Sequence, residues 1–205
     1  MLYFLIISLV VAGTLVSTIC VSCLAGTITL SYAIIAPLFV LLYVFILLGI
    51  LDLILRFCLP KTCWNYERKY FAVSKKEVRL YEKLKIRKWK DKVPEWGKSA
   101  GFAKSNLQSL EVDYLKKFIY ETCIGEILHL SAAILGFTCL FIFPIKHYYF
   151  VLPILLTNFL LNLMPCFIQR YNRARLLVVY KFKTRHSIVT DTQKNEQLNE
   201  AGQIV

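Results

Sequence analysis

Charged side chains are absent from two long stretches of this 205-residue sequence, residues 2–24 and residues 28–51. Residues 148–168 carry no charge either, and residues 127–145 carry a single ionisable side chain, His129. Each stretch reaches the roughly 20 apolar residues that a helix needs to cross a bilayer. An ordinary soluble domain is therefore excluded, and the sequence predicts an all-α integral membrane protein with about four transmembrane helices.

Several catalytic and nucleotide-binding motifs are also absent. The sequence has no P-loop, no GxGxxG and no HExxH, which argues against a P-loop NTPase, a dinucleotide-binding enzyme and a zincin protease. With only three histidines and a single ExxH, Glu126-Ile-Leu-His129, it cannot complete a carboxylate di-iron site. Most of the seven cysteines lie in or beside apolar stretches, where cysteine acts as a small hydrophobic residue. The sequence therefore predicts no metal site.

The basic residues are unevenly distributed. Lys and Arg number 25 against 13 acidic residues, and 16 of them fall in residues 61–117 with seven more in residues 170–194. Under the positive-inside rule, both basic segments belong on the cytoplasmic side, and four spans then place the N-terminus there too. We expect a multi-pass protein of the cell membrane. A cleaved signal peptide is the alternative for the first stretch, although it lacks a basic n-region.

The same distribution divides the chain into four parts. Residues 1–57 form an N-terminal pair of transmembrane helices, and residues 58–118 form a basic amphipathic segment at the cytoplasmic surface. Residues 119–180 form a second helix pair, and residues 181–205 form a polar tail that we expect to be disordered. The tail prediction rests on its low content of apolar residues.

The central basic segment interleaves aromatic and aliphatic residues with lysine and arginine. Over residues 75–90 this pattern predicts an amphipathic helix at the headgroup level, with its cations against anionic lipid. Nucleic acid is the weaker alternative for a net charge of +12, because topology alone places basic residues beside membrane spans. Residues 93–97 contain Pro and Gly and break the helix. A new helix is predicted over residues 109–120, with Ser109 as its N-cap.

The third predicted span carries three polar residues on one helix face. Thr122, Glu126 and His129 are spaced i, i+4 and i+7. An ionisable side chain within a span is costly unless it faces a polar interior, so Glu126 and His129 are candidate functional residues. The alternative is a hydrogen bond between helices or a position at the membrane surface.

The fourth predicted span has a matching polar stripe. Asn158, Asn162, Pro165 and Gln169 recur at helical spacing, and the stripe leads into three arginines, Arg170, Arg173 and Arg175. Such a stripe either joins helices or lines a cytoplasm-facing cavity together with the face of Glu126 and His129. Arginine suits bidentate recognition of phosphate or carboxylate. A stop-transfer cluster of positive charge is the alternative for the arginines.

A set of motifs in this order resembles a known family. They are Ile86-Arg-Lys-Trp-Lys-Asp-Lys-Val-Pro94, Gly101-Phe-Ala-Lys104, Glu121-Thr-Cys-Ile-Gly-Glu-Ile-Leu-His129, Asn162-Leu-Met-Pro165 and Gln169-Arg-Tyr-Asn-Arg-Ala-Arg175. Together they resemble the glycosyl-4,4'-diaponeurosporenoate acyltransferase family over about residues 80–178. The family includes the last enzyme of staphyloxanthin-type carotenoid synthesis.

The resemblance implies transfer of a fatty acyl group to a hydroxyl of a lipid-soluble acceptor, in the named case a sugar hydroxyl on a glycosylated carotenoid. No cofactor is implied beyond the acyl donor, which is acyl-CoA or another acyl thioester. His129 would act as the general base and Glu126 would orient its imidazole. Asn162 or Gln169 would donate to the oxyanion. Predicted substrate contacts also come from Arg87, Lys88, Trp89, Lys90, Lys104, Arg170, Asn172, Arg173 and Arg175.

Two other classes of function remain open. A non-catalytic scaffold or subunit in lipid metabolism would use the same residues for packing and for contact with membrane lipids. A small transporter or lipid carrier would use the two polar faces as a pathway, although clear inverted repeats are lacking.

Overall fold

The computed structural model describes residues 2–26, 29–93 and 109–202. Six α-helices run through them: α1 (Leu2–Ala25), α2 (Leu30–Leu53), α3 (Lys75–Lys83), α4 (Ile86–Trp89), α5 (Val112–Leu135) and α6 (Tyr148–Gly202). A π-helical turn, Ile54–Cys58, extends α2, and 3-10 turns cover Lys61–Trp64, Lys90–Lys92, Gly136–Ile142 and Ile145–His147. The described residues contain no β-strand, which confirms the prediction of an all-α protein.

Three helical stretches are long and apolar enough to cross a membrane: Leu30–Cys58, Val112–Ile142 and Val151–His186. They coincide with the second, third and fourth predicted spans. Helix α1 covers the first predicted span, but the apolar stretch found there, Ser8–Val21, is shorter. The prediction of an all-α membrane protein is confirmed, because three helices of this kind lie among the described residues. The fourth span, the multi-pass topology and the cytoplasmic orientation stay predictions.

Two boundaries of the long helices α5 and α6 differ from the sequence prediction. Helix α5 begins at Val112 with Glu111 as its N-cap, and not at the predicted Ser109. The Ser109 hydroxyl instead accepts a hydrogen bond from the backbone N–H of Glu111 at 3.0 Å, so it closes a turn just before the helix. Helix α6 continues to Gly202, whereas the sequence predicted a disordered tail over residues 181–205. No proline or glycine interrupts residues 176–201, so nothing in the sequence ends the helix earlier.

The amphipathic segment forms two short helices rather than the single helix predicted over residues 75–90. Ser74 caps α3, because its hydroxyl accepts the backbone N–H of Glu77 at 3.2 Å. Lys85 then adopts a left-handed conformation with φ 52°, which ends α3 and lets α4 start in a new direction. The predicted break over residues 93–97 lies mostly outside the described residues, which stop at Val93.

Helices α5 and α6 pack against each other and form the centre of the fold. One apolar cluster joins α6 to α2 and to the 3-10 turn after α5 through Val40, Cys139, Val151 and Leu155. In a second cluster, Ile86 and Tyr81 of the central segment pack on Ile168 and Tyr171 in the middle of α6. The central segment therefore docks on the middle of α6, beside Arg170 and Arg173.

Candidate functional site

The polar faces of α5 and α6 lie against each other along an antiparallel seam. Asn158 Nδ2 donates to the carbonyl oxygen of Ala132 at 3.1 Å, and Arg170 Nη1 donates to Glu126 Oε1 at 2.6 Å. As the residue number rises along α6, the number of its partner falls along α5, as antiparallel packing requires. The two polar faces therefore meet, which was one of the arrangements that the sequence left open.

His129 and Asn162 form the middle contact of this seam. His129 Nδ1 lies 3.0 Å from Asn162 Oδ1. Asn162 is buried, with 7% of its surface exposed. Its amide nitrogen donates to the backbone oxygen of Asn158 at 3.0 Å and to the Asn158 side-chain oxygen at 2.8 Å. Both amide hydrogens of Asn162 are therefore engaged, so the predicted role of Asn162 as an oxyanion donor does not fit this arrangement.

Glu126 is almost fully buried and is bound by two guanidinium groups. Arg170 Nη1 donates to one carboxylate oxygen at 2.6 Å, and Arg173 Nη2 donates to the other. The prediction assigned Glu126 to the imidazole of His129. In the structure, the oxygen recorded at His129 Nδ1 belongs to Asn162 instead. Glu126 binds these arginines because Arg170 and Arg173 lie one turn apart on α6, and both side chains reach the Glu126 carboxylate on α5.

Arg170 has acceptors for all five of its N–H groups. Besides Glu126, it donates from Nε and Nη2 to the two carboxylate oxygens of Glu77, and to the backbone oxygens of Tyr70 and Ala72 at 3.2 and 3.1 Å. A guanidinium with five donors engaged has none left for a substrate phosphate. Arg170 therefore joins the central segment to α5 and α6, which differs from its predicted substrate contact.

Arg173 is also a structural side chain. It is completely buried, donates to the Phe71 carbonyl at 3.1 Å, and lies 5.2 Å from the centre of the Phe71 ring. A weaker hydrogen bond reaches the Thr122 carbonyl at 3.4 Å. We call the four charged residues Glu77, Glu126, Arg170 and Arg173 the ion-pair network. Its two positive and two negative charges balance, as burial of charge requires.

Sequence reasoning missed Glu77. The signal in the sequence was the capping box Ser74-x-x-Glu77, which marks the start of a helix but names no distant partner. Burial disfavours the charged form of Glu77, but the hydrogen bonds from Arg170 and from the Tyr81 hydroxyl outweigh burial, and the pKa of Glu77 is lowered. Glu77 is therefore a carboxylate that holds α3 against α6.

Gln169 lies at the seam against Gly125 of α5. A Cβ added at Gly125 would lie 2.9 Å from Gln169 Nε2. Gly125 and His129 are spaced i, i+4 and so share one face of α5. Among the residues that the structure describes, no hydrogen bond engages the Gln169 carboxamide. This carboxamide, unlike that of Asn162, is available to a ligand.

The other predicted substrate contacts are divided between surface and interior. Arg87, Lys88 and Arg175 are exposed, and the Arg175 guanidinium lies 5.6 Å from the centre of the Tyr171 ring. Trp89, Lys90 and Asn172 are less exposed than these three. Trp89 Nε1 donates to the Leu84 carbonyl at 3.0 Å, Lys90 is buried beside Asp91 at 2.9 Å, and Asn172 is half-buried. Lys104 lies outside the described residues.

One further motif escaped the sequence interpretation. Residues 97–101, Gly-Lys-Ser-Ala-Gly, have the spacing GxSxG, with Ser99 at the centre. In α/β-hydrolases this motif forms a turn between a strand and a helix. Residues 97–101 lie outside the described part of the chain, and that part contains no strand to supply the hydrolase context.

The chain matches one known protein family. A sequence model of the glycosyl-4,4'-diaponeurosporenoate acyltransferase family matches residues 63–181, more than half of the chain. The chain belongs to this family. No curated protein and no solved structure matches the chain significantly.

The region matched to the acyltransferase family contains every residue of the seam and of the ion-pair network. It begins beside Trp64, in the 3-10 turn Lys61–Trp64, and ends in α6 at Lys181. Helices α1 and α2 lie before it. The match confirms the resemblance found from motifs over residues 80–178 and extends it toward the N-terminus. The family name describes an acyltransferase, and that level of function follows from membership.

Proposed function

We propose that this protein is a membrane-bound acyltransferase that moves a fatty acyl group from a thioester donor to a hydroxyl of a lipid-soluble acceptor. A glycosylated carotenoid is the acceptor that the family name suggests. The observation that carries the proposal is the contact between His129 and Asn162, which holds an imidazole inside a polar seam between two apolar helices. An ionisable group in that setting is costly to keep and is therefore a functional-site candidate.

The chemistry requires a base, an oxyanion donor and two bound substrates. His129 takes the proton from the acceptor hydroxyl as its oxygen attacks the thioester carbonyl. The Gln169 carboxamide donates a hydrogen bond to the oxyanion that forms. The tetrahedral intermediate collapses, the carbon–sulfur bond breaks, and the imidazolium returns its proton to the departing thiolate. The products are an ester and a free thiol, so protons and charge balance.

The exposed cations near the docked segment provide a place for a charged donor. Arg87 and Lys88 follow Ile86, which packs with Tyr171 in one apolar cluster, and Arg175 lies one turn beyond Tyr171 on α6. These three side chains therefore lie in the same region of the fold, around Tyr171. If the donor is acyl-CoA, its phosphates would meet these cations while its acyl chain enters between apolar helices.

A direct assay tests the proposal. The full chain, purified into lipid nanodiscs, is given isotope-labelled acyl-CoA and a glycosylated carotenoid, and mass spectrometry follows the ester. We expect His129→Ala to lower transfer by about 10²- to 10⁴-fold, the contribution of a general base. His186→Ala is the matched control, because His186 is exposed near the far end of α6. Full transfer by His129→Ala would overturn the assignment.

Two further outcomes separate the competing functions. Binding of donor and acceptor without turnover by the wild-type chain would favour the non-catalytic scaffold. Loss of transfer in Ser99→Ala, with His129→Ala active, would move the chemistry to residues 97–101. Lipid and pigment extracts from cells with and without the gene, compared by mass spectrometry, would identify the acceptor, since the lost acyl ester names the product.

A further inference from the structure

Two asparagines of α6, Asn158 and Asn162, are hydrogen-bonded to each other, and Asn162 contacts His129. We propose that Asn158 and Asn162 form a relay of hydrogen bonds that keeps neutral His129 in the tautomer with hydrogen on Nδ1, so that Nε2 is the basic nitrogen. The tautomer follows from the contacts alone. Its importance for acyl transfer rests on the proposed function, in which His129 is the general base.

The first link is the orientation of the Asn158 amide. Its Nδ2 lies 3.1 Å from the carbonyl oxygen of Ala132 on α5. A backbone carbonyl only accepts, so the Asn158 atom facing it must be the nitrogen. The Asn158 side-chain oxygen therefore points the other way, along α6 toward Asn162. Gly136 keeps this geometry possible, because a Cβ there would lie 2.5 Å from Asn158 Nδ2.

The second link is the orientation of the Asn162 amide. One of its side-chain atoms lies 3.0 Å from the Asn158 backbone oxygen and 2.8 Å from the Asn158 side-chain oxygen. Both neighbours are acceptors, so this atom must be Nδ2, and its two hydrogens serve the two oxygens. The usual ambiguity between nitrogen and oxygen in an amide is removed at both asparagines by a backbone carbonyl.

The third link is His129. With Nδ2 committed to Asn158, the Asn162 atom 3.0 Å from His129 Nδ1 is the oxygen Oδ1. An amide oxygen has no hydrogen to donate, so the hydrogen in this contact belongs to Nδ1. In a neutral imidazole one nitrogen carries hydrogen and the other accepts, so Nε2 holds the lone pair. The relay thus supplies a base at a defined nitrogen.

The relay explains a buried polar stripe that packing alone does not require. Asn158 and Asn162 are positioning residues, since each acts through His129. Asn162 should matter more than Asn158, because the backbone carbonyl of residue 158 still orients Asn162 after the Asn158 side chain is lost. An aspartate at position 162 keeps an acceptor at His129 Nδ1, whereas leucine removes it.

Nitrogen-15 NMR of histidine tests the tautomer directly. In the full chain carrying His147→Gln and His186→Gln, His129 is the only histidine, and its labelled ring is observed in nanodiscs at a pH where it is neutral. We expect a protonated Nδ1 and an unprotonated Nε2. The opposite pattern would overturn the proposal. The same measurement on the wild-type chain shows whether the two glutamines disturb the ring.

Variants then test the relay. Asn162→Leu should release the tautomer and lower kcat by about ten- to a hundredfold, less than the roughly 10²- to 10⁴-fold of losing the base, since leucine removes the constraint without forcing the other tautomer. Asn162→Asp should retain Nδ1–H and recover part of kcat. Thr157→Val is the matched control, because its hydroxyl donates to the Pro153 carbonyl within α6.

The outcomes are distinguishable from a failure of the proposed function. If His129 carries hydrogen on Nδ1 but His129→Ala transfers acyl groups normally, the relay stands and the base assignment falls. If Asn162→Leu leaves the tautomer as in the wild type, the relay falls whatever its activity. An Asn162→Leu chain that loses its fold is replaced by Asn158→Leu, for which a smaller shift toward Nε2–H is expected.

Discussion

Gly125 of α5 lies so close to Gln169 of α6 that a Cβ at position 125 would sit 2.9 Å from the Gln169 amide nitrogen. Real Cβ atoms do not approach this closely, so the Gln169 carboxamide occupies space that only glycine leaves open. The atom affected is the end of a flexible side chain, which can move aside without disturbing either helix. A substitution at Gly125 therefore changes the site more than the fold.

Gly125→Ala should lower acyl transfer by about tenfold or more while the helical fold remains. The upper bound is the 10²- to 10³-fold that the loss of one oxyanion donor costs. Alanine favours helix over glycine by about 1 kcal/mol, so thermal stability should not fall. Gly49→Ala is the matched control, since nothing lies within 4 Å of its added Cβ. Equal activity of both variants would exclude Gln169 from the chemistry.

Glu126→Ala should be strongly destabilising, because it leaves buried Arg173 and Arg170 without their shared carboxylate. Breaking a buried ion pair by removing one partner costs about 3–5 kcal/mol. Glu121→Ala on the same helix removes a more exposed pair, in which Arg56 Nη1 lies 2.9 Å from Glu121, and should cost about 0–1 kcal/mol. Denaturant unfolding in detergent measures both variants. Similar small losses would contradict the structural role of the network.

Docking of α3 on α6 should weaken in acid. The pKa of Glu77 is lowered in the folded protein from its ordinary value of 4.5. A group with a lowered folded pKa contributes stability that is fully present above the ordinary pKa and is lost as the pH falls through the folded value. Proteolysis at the lysines of α3 should therefore accelerate below about pH 4.5.

The variant Glu77→Gln separates protonation of Glu77 from the unfolding that acid causes through other carboxylates. Glutamine cannot ionise, so the variant should show faster cleavage at neutral pH and little further acceleration in acid. Glu82→Gln is the control, since Glu82 is exposed on the same short helix. An acid response in Glu77→Gln as large as in the wild type would assign the change to another carboxylate.

Neutralising the exposed cations should weaken binding of a phosphate-bearing donor. Replacing Arg87, Lys88 and Arg175 by glutamine should raise KM for acyl-CoA and leave KM for an acyl thioester without phosphates unchanged. The wild-type KM for acyl-CoA should also rise with salt, because screening weakens exposed charge contacts. Replacing the exposed Lys61, Arg68 and Lys69 is the charge-matched control. Equal effects of the two triple variants would indicate a general surface charge.

Periodicity and charge were enough to predict much of the fold. Runs without charge predicted the three apolar helical stretches, and helical spacing predicted that His129 and Asn162 lie on polar faces of the third and fourth spans. The single amphipathic helix over residues 75–90 was wrong, because Lys85 takes a left-handed conformation that no local propensity favours for lysine. The disordered tail also differs from the structure, since low hydrophobicity does not by itself end a helix.

The roles of the site residues were harder to predict from spacing. Glu126 and His129 are three residues apart, which suggested that they pair with each other. In the structure, Glu126 binds Arg170 and Arg173, and His129 Nδ1 contacts Asn162. Arginines beside a membrane span suggested phosphate binding, but the acceptors that engage Arg170 include Glu77, 93 residues away in the chain.

The sequence by itself determined the class of protein, its apolar helices, its family and the two polar stripes, because these depend on residues that are neighbours along the chain. The tertiary structure alone decided which polar group meets which. A carboxylate, an amide and a guanidinium each accept several partners, and only the register of α5 against α6 selects among them. In that register, Arg170 and Arg173 bind Glu126 and stabilise the fold, and Gln169 lies beside Gly125. The same register brings Asn162 to His129, which sets the proton of His129 on Nδ1.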